Sequence, residues 1–239
     1  MNKSKFLILV EGKRIDARLM ERLLKLYNLD AKYEIVSYET NIYVLYNKMF
    51  LDCNPADMNI LQVLKEREVD TAKKQIFDQK FTDILLVFDL DPQDPQFTEE
   101  KISLLANHFV ESTDMGKLYL NYPMVEAFYH MTSIPDCEFN ERAVTLSELK
   151  NKTYKTRVNA ESLNRDYAKF AITREECNTV IKQNIEKGWH ILSSVPNELP
   201  PESGLILDKQ LESLRDCEKV YVLCTCAFFI SEYNPTFLN

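Results

Sequence analysis

The chain has 239 residues, 45% of them apolar, and a net charge of −8. That length suits one large domain or a core domain with an extension, and it can bury a sizeable core. Four glycines and nine prolines exclude a linker-rich or disordered chain. The acidic balance excludes a protein that coats long stretches of duplex, which calls for a basic surface, but it leaves room for a local basic strip or a small metal-dependent site.

Residues 6–10 (FLILV) form a continuous apolar run with an abrupt polar end, the pattern of a strand buried on both faces. After Gly12, the residues Ile15, Leu19, Leu23, Leu26 and Tyr27 recur at spacings of three and four, which predicts a helix. Residues 32–38 (KYEIVSY) read as a second strand, so the chain opens β-α-β, a parallel pair with a right-handed crossover. Residues 41–79 read as mostly helical, with a break at Asn54-Pro55. The next buried strand is 83–88 (DILLVF), stopped by Asp89-Leu90-Asp91-Pro92. Thr98 then caps a helix running to about Ser112, with Glu99 and Glu100 in its first turn.

Residues 117–120 (KLYL) predict a short fourth strand, and Pro123 fits the first turn of a helix carrying Glu126, Tyr129 and His130. From about Ile134 onward the pattern is mainly helical, with candidate helices at 147–150, 160–170, 174–187 and 205–214 and a Pro-containing loop at 197–204. The run 220–230 fits a buried strand or a buried helix, with a helix packed on the core favoured. These expectations amount to an α/β fold: a Rossmann-like parallel sheet flanked by helices over residues 1–133, and a mainly helical extension over 134–239.

The six cysteines (Cys53, Cys137, Cys177, Cys217, Cys224 and Cys226) match no zinc spacing. Cys224 and Cys226 lie in an apolar run and read as buried thiols of a reducing compartment. Lys3 and Lys5 lead directly into the first strand, so no signal peptide is expected. The apolar run at 220–230 falls short of the ~20 residues a bilayer requires. The expectation is a cytoplasmic protein with no membrane partner.

The chemistry-bearing residues fall at strand ends. Glu11 follows the first strand, and Asp89 and Asp91 follow the third. Ligands of open α/β sheets gather beyond the carboxyl ends of strands, and residues two apart on a strand share a face. If those two strands are neighbours, three carboxylates converge, and they repel one another unless a cation neutralises them. Oxygen-only ligands suit a hard ion such as magnesium, and the absence of His and Cys argues against zinc. Taken singly, each motif has an ordinary reading: a capping glutamate, or turn chemistry.

The combination Leu9-Val10-Glu11-Gly12-Lys13 with Leu86-Val87-Phe88-Asp89-Leu90-Asp91 resembles the Toprim domain over roughly residues 5–130. That family has Glu-Gly after strand one and Asp-x-Asp after strand three. Asn121-Tyr122-Pro123-Met124-Val125-Glu126, with Tyr129-His130, is similar to a segment of the RloB-like and related abortive-infection Toprim proteins. So is the interval from Glu11 to Asp16, although many Toprim nucleases carry the acid one position earlier, where this chain has Ile15.

The resemblance implies Glu11 as general base or ligand, and Asp89 and Asp91 as ligands of one or two magnesium ions, with manganese as a substitute. Asp16 and Glu126 are candidate further ligands. For Asp16, favouring the helix N-terminus through the dipole is an equal alternative. Lys13 is a candidate for stabilising the phosphate in the transition state or for ordinary solvation. Asp94, Tyr122 and His130 read more naturally as loop and packing residues.

No room exists here for the apparatus of a topoisomerase or a primase, which leaves a small metal-dependent endonuclease. The resemblance implies a toxic effector of anti-phage defence that cuts RNA (tRNA-like) or DNA. The acidic balance favours a compact RNA, with Lys150, Lys152, Tyr154, Lys155 and Arg157 as the candidate nucleic-acid strip. Such a charge run is more commonly a solvated face. No G-x-x-x-x-G-K-[ST] loop is present, so an ATPase would have to be a partner chain. The alternative from another class is a non-cutting Toprim subunit that tethers such an ATPase, against which the intact acids count. A phospho-acceptor receiver domain places its acidic pair after strand one, the reverse of this pattern.

Overall fold

The computed structural model describes residues 5–29, 32–51, 59–113 and 115–238. Cys53 and the Asn54-Pro55 break lie outside these. The chain forms β1 (Lys5–Val10), α1 (Ile15–Leu26), β2 (Lys32–Ser37), α2 (Ile42–Tyr46), α3 (Ile60–Arg67), α4 (Thr71–Phe77), β3 (Asp83–Asp89), α5 (Glu99–His108), β4 (Val110–Glu111) and β5 (Gly116–Asn121). These five strands make one sheet in the order β2-β1-β3-β5-β4. All pairings are parallel except β4 with β5. The strand between two neighbours must be apolar on both faces. Residues 6–10 of β1 and 84–89 of β3 are accordingly all buried.

Register fixes the site. Val10 lies opposite Val87, and Asp89 lies opposite Asn121. The residues following β1 and β3 therefore emerge side by side at the carboxyl edge of the sheet.

The second half contains β6 (Ala143–Thr145), α6 (Leu146–Lys150), α7 (Tyr154–Glu161), α8 (Arg174–Ile191), α9 (Ser203–Cys217), β7 (Lys219–Tyr221) and α10 (Phe228–Tyr233). Capping boxes open α6 and α8, with Thr145 reciprocating with Glu148 and Thr173 with Glu176. β6 and β7 form a separate antiparallel pair. The chain then returns to the main sheet, where Tyr122 and Leu223 exchange backbone hydrogen bonds of 2.8 Å.

Three expectations are corrected. The run 220–230 is not one helix: β7 pairs with β6, a 3-10 turn covers Thr225–Ala227, and α10 follows. The helix expected at 160–170 ends at Glu161, because the Ser162 hydroxyl bonds to the Asn164 carbonyl and Asp166 caps a separate short turn at Tyr167–Lys169. The helix expected after Pro123 is a 3-10 turn at Val125–Tyr129. Among the described residues no helix is long and apolar enough to cross a membrane.

Phe229 of α10 lies edge-on to Phe6 of β1 at 5.7 Å and to Tyr119 of β5 at 6.5 Å between ring centroids. It thereby ties the C-terminal residues to the sheet. Phe229→Ala removes these contacts and leaves a cavity, so it should cost about 3–5 kcal/mol. Urea unfolding should show a lower midpoint at unchanged slope. An unchanged midpoint would mean that the C-terminal helix is not part of the core.

Candidate metal centre

Glu11 begins where β1 ends, and its backbone N–H continues the ladder by donating to the Val87 carbonyl at 3.0 Å. Its side-chain Oε2 accepts from the Asp89 backbone N–H at 3.3 Å. Asp89 is the last residue of β3, and its Oδ1 accepts from the Asn121 amide at 3.4 Å. Two residues later the chain turns sharply. Asp91 has φ 42°, its N–H donates to the Pro123 carbonyl, and its Oδ1 accepts from Gln93 at 2.9 Å. A left-handed conformation is uncommon for a residue other than glycine, and Asx residues tolerate it best. The buried hydroxyl of Tyr43 donates to the Leu90 carbonyl and holds this turn from beneath.

Glu11, Asp89 and Asp91 each offer a carboxylate oxygen within 4.8 Å of the others. Asp16, in the first turn of α1, and Glu126, in the 3-10 turn after β5, line a cavity of about 480 Å³ together with Glu11 and Asp89. Both are buried, and each keeps one carboxylate oxygen, Asp16 Oδ1 and Glu126 Oε2, without a hydrogen-bond partner.

The electrostatics follow from this crowding. Burial raises the Glu11 carboxyl to about 8, with Asp91 and Asp16 adding to the shift and the Asp89 N–H opposing it. Burial raises Asp16 to about 6, helped by Glu126 and opposed by the backbone N–H groups of Asp16 and Gly12. Asp89 is pushed well above the ordinary carboxylate range by desolvation and then by Glu11, Asp16, Asp91 and Glu126. Asp91 is raised by burial, against the Gln93 hydrogen bond and Lys155.

The counter-ion comes from the second half of the chain. Lys155 on α7 places Nζ 2.9 Å from Glu126 Oε1. Desolvation works against its charge, but Glu126, Asp89 and Asp91 together lift its pKa above that of ordinary lysine. Among the described residues, Lys155 is the cation paired directly with this group of carboxylates, while Lys13 and Arg14 also line the cavity. The donor set is all oxygen, and two buried oxygens lack partners, so the residues present fit a hard divalent cation.

The expected site residues separate into groups. Glu11, Asp16, Asp89, Asp91 and Glu126 come together. Lys13 lines the same cavity, but its ammonium lies 2.5 Å from Glu39 Oε1. The cation acting on the acids is Lys155, which the sequence reading had placed on a nucleic-acid strip. Tyr154 of that strip is buried, with its hydroxyl 3.2 Å from His130 Nδ1, so its ring is unavailable for stacking on a base. Arg157 is bound to Glu148, Glu161 and the Ala143 carbonyl. Lys150 and Lys152 are exposed. Asp94 is a loop residue whose carboxylate accepts from Asn41 and from the Gln96 backbone.

The sequence assigns no role to Glu39, and none to Asn121 beyond opening the segment 121–130. Asn121 is fully buried, bonds Asp89 through its amide and accepts from the Cys226 N–H. Its register opposite Asp89 places it at the acids. No family model, curated protein or solved structure matches the chain.

Two outcomes are expected. The folded Glu11 holds its proton up to about pH 8, whereas the unfolded residue releases it near 4.5. The stability this proton provides is fully present below 4.5 and is lost as pH rises through about 8. Metal-free protein should therefore melt at progressively lower temperature from pH 5 to pH 8, and Glu11→Gln should flatten that slope. Saturating magnesium should raise the melting temperature more at pH 8 than at pH 6. Equal shifts at both pH values would show that the acids do not bind the ion.

A Cβ on Gly12 would lie 2.5 Å from Asp16 Oδ2. Gly12→Ala must therefore displace the Asp16 carboxylate, and metal affinity measured by calorimetry should fall about tenfold or more. Unchanged affinity would remove Asp16 from the site.

Proposed function

We propose that this chain is a Toprim-type, magnesium-dependent endonuclease, with manganese able to substitute, acting in the cytoplasm as a toxic effector of anti-phage defence on RNA in preference to DNA. One observation carries the reading. Three carboxylates from the ends of two adjacent parallel strands meet within 4.8 Å, in the order and strand context of the Toprim motifs. Asp89 and Asp91 would hold the ion, with Glu11 shared between ligand and base, and Asp16 and Glu126 are the candidates for a second ion. A bound divalent ion supplies Lewis-acid polarisation of the phosphate and neutralises charge on its oxygens.

The chain's own residues supply the rest. Glu11, held at the end of β1 beside Asp89 and Asp91, would be placed to accept the proton of an attacking water. Asn121 orients Asp89, and Gln93 orients Asp91, as outer hydrogen bonds do for ligating carboxylates. Lys155 lies 2.9 Å from Glu126 with much of its side chain exposed, so its ammonium would be within reach of a phosphate oxygen at the acids. RNA is favoured because a net charge of −8 is unlike the basic balance that long duplex calls for. The defence role rests on the similarity of residues 121–130 to the abortive-infection proteins, and an ATPase partner chain goes with that similarity.

Asp89→Asn with Asp91→Asn removes the negative charges at nearly constant volume. It relieves repulsion, so the variant should fold at least as stably as the wild type. Expressed in bacteria, the wild type should yield discrete RNA fragments, and the variant should yield none. DNA breakage by the wild type would redirect the substrate. Cleavage by the double variant would end the nuclease assignment at this site. Intact nucleic acid with wild type and variant alike, with the genomic neighbour co-expressed, would favour the non-cutting interaction subunit.

A further inference from the structure

Beside the acids lies a second, oppositely charged feature. Glu39 directly follows Tyr38 at the end of β2, held in the left-handed region at φ 63° with its N–H on the Glu11 carbonyl at 2.9 Å. Its carboxylate is paired with Lys13 at 2.5 Å. Lys73 of α4 and Arg67 of α3 act on the same carboxylate, and after the hydrogen bond from Lys13 they help hold it below the usual range. The Arg67 guanidinium lies 3.9 Å from the centroid of the Tyr38 ring. A stacked arginine is pre-ordered and loses little freedom when its N–H edge takes up a phosphate. Lys13, Arg67 and Lys73 are all exposed. Lys13 pairs directly with this exposed anion, Arg67 sits on the ring of the preceding residue, and Lys73 acts from α4, all beside the acid cluster.

We propose that Glu39 marks a phosphate position: Lys13, Arg67 and Lys73 form an anion site that takes a backbone phosphodiester flanking the one at the acids, and Glu39 occupies that site until nucleic acid displaces it. This rests on the nuclease reading and gives it a direction, since the substrate strand crosses from the acid cluster towards α3 and α4. Charge complementarity carries the inference. Lys13, Arg67 and Lys73 offer positive charge beside acids that alone would repel a polyanion. The Arg67 fork suits the planar, two-point recognition of phosphate that a lysine cannot supply.

The experiment measures binding to a fluorescein-labelled single-stranded RNA and to a labelled DNA duplex of the same sequence. It uses the full chain with calcium in place of magnesium, over a series of salt concentrations. Glu39→Gln should tighten binding several-fold. Arg67→Glu with Lys73→Glu should weaken it about tenfold and reduce the salt slope by about 1–2, one counter-ion for each lost phosphate contact. Lys73→Glu alone lies on an exposed position and should give part of the effect without touching the Tyr38 stack. Metal affinity measured by calorimetry should match the wild type in every variant. Wild-type binding that none of these substitutions alters would overturn the phosphate site and leave the nuclease reading standing. Normal metal binding with no affinity for either probe would overturn the nuclease reading and this inference with it.

Discussion

Desolvation of a carboxylate cluster, compounded by mutual repulsion, governs the candidate site. Two full charges 4–5 Å apart repel by roughly 3–4 kcal/mol even at an effective dielectric near 20. Glu11, Asp89 and Asp91 lie within that range of one another, and Asp16 and Glu126 open onto a cavity with Glu11 and Asp89. The protein answers in two ways. Glu11, Asp16, Asp89 and Asp91 have proton affinities raised above the ordinary carboxylate value. Lys155 meanwhile sits against Glu126 as a partial counter-ion. Neither answer is complete, because Asp16 Oδ1 and Glu126 Oε2 stay buried without partners. A structural ion-pair network would be balanced, whereas this one is short of positive charge in a way a divalent cation corrects.

The sheet makes the convergence unavoidable. β1 and β3 are buried on both faces and hydrogen-bonded in parallel, so their carboxyl ends finish at the same level. Glu11 and Asp89 cannot move apart without breaking that ladder, and the Asp89 N–H to Glu11 Oε2 hydrogen bond adds a direct tie. The turn that brings Asp91 back uses a positive φ and is secured from Tyr43, Gln93 and the Pro123 carbonyl. Strain of this kind persists only where the surroundings over-determine it, and it clusters at functional positions.

The parts that were legible in the sequence are those set by short-range pattern. The apolar runs gave β1 and β3, the abrupt polar ends gave Glu11 and Asp89, and the helical spacing gave α1. The pairing of Lys155 with Glu126 could not be read, because the two are 29 positions apart and meet only through tertiary packing. Tyr154 went wrong for the same reason. An aromatic between lysines looks like a stacking platform until the fold turns its ring inward onto His130. The 220–230 run was ambiguous in principle, because a continuous apolar stretch carries no period to separate strand from helix. Its division into β7 and α10 depends on β6, which lies more than 70 residues earlier.

The second half of the chain completes the site as well as covering the sheet. Lys155 belongs to α7, and α7 is fastened to the residues just after Glu126. His130 takes the Tyr154 hydroxyl on Nδ1 and Glu161 on Nε2, so both ends of the helix are anchored to one imidazole. Burial keeps that imidazole neutral, with its pKa lowered to about 4, so the anchor does not change charge across the physiological range. The lysine is thereby held within reach of the acids by a neutral, pH-insensitive clamp, while its own side chain stays exposed enough to move. An ammonium so placed neutralises part of the cluster without locking it. The acid cluster is thereby held in a fixed arrangement whose charge one ammonium only partly balances, an arrangement suited to a cation.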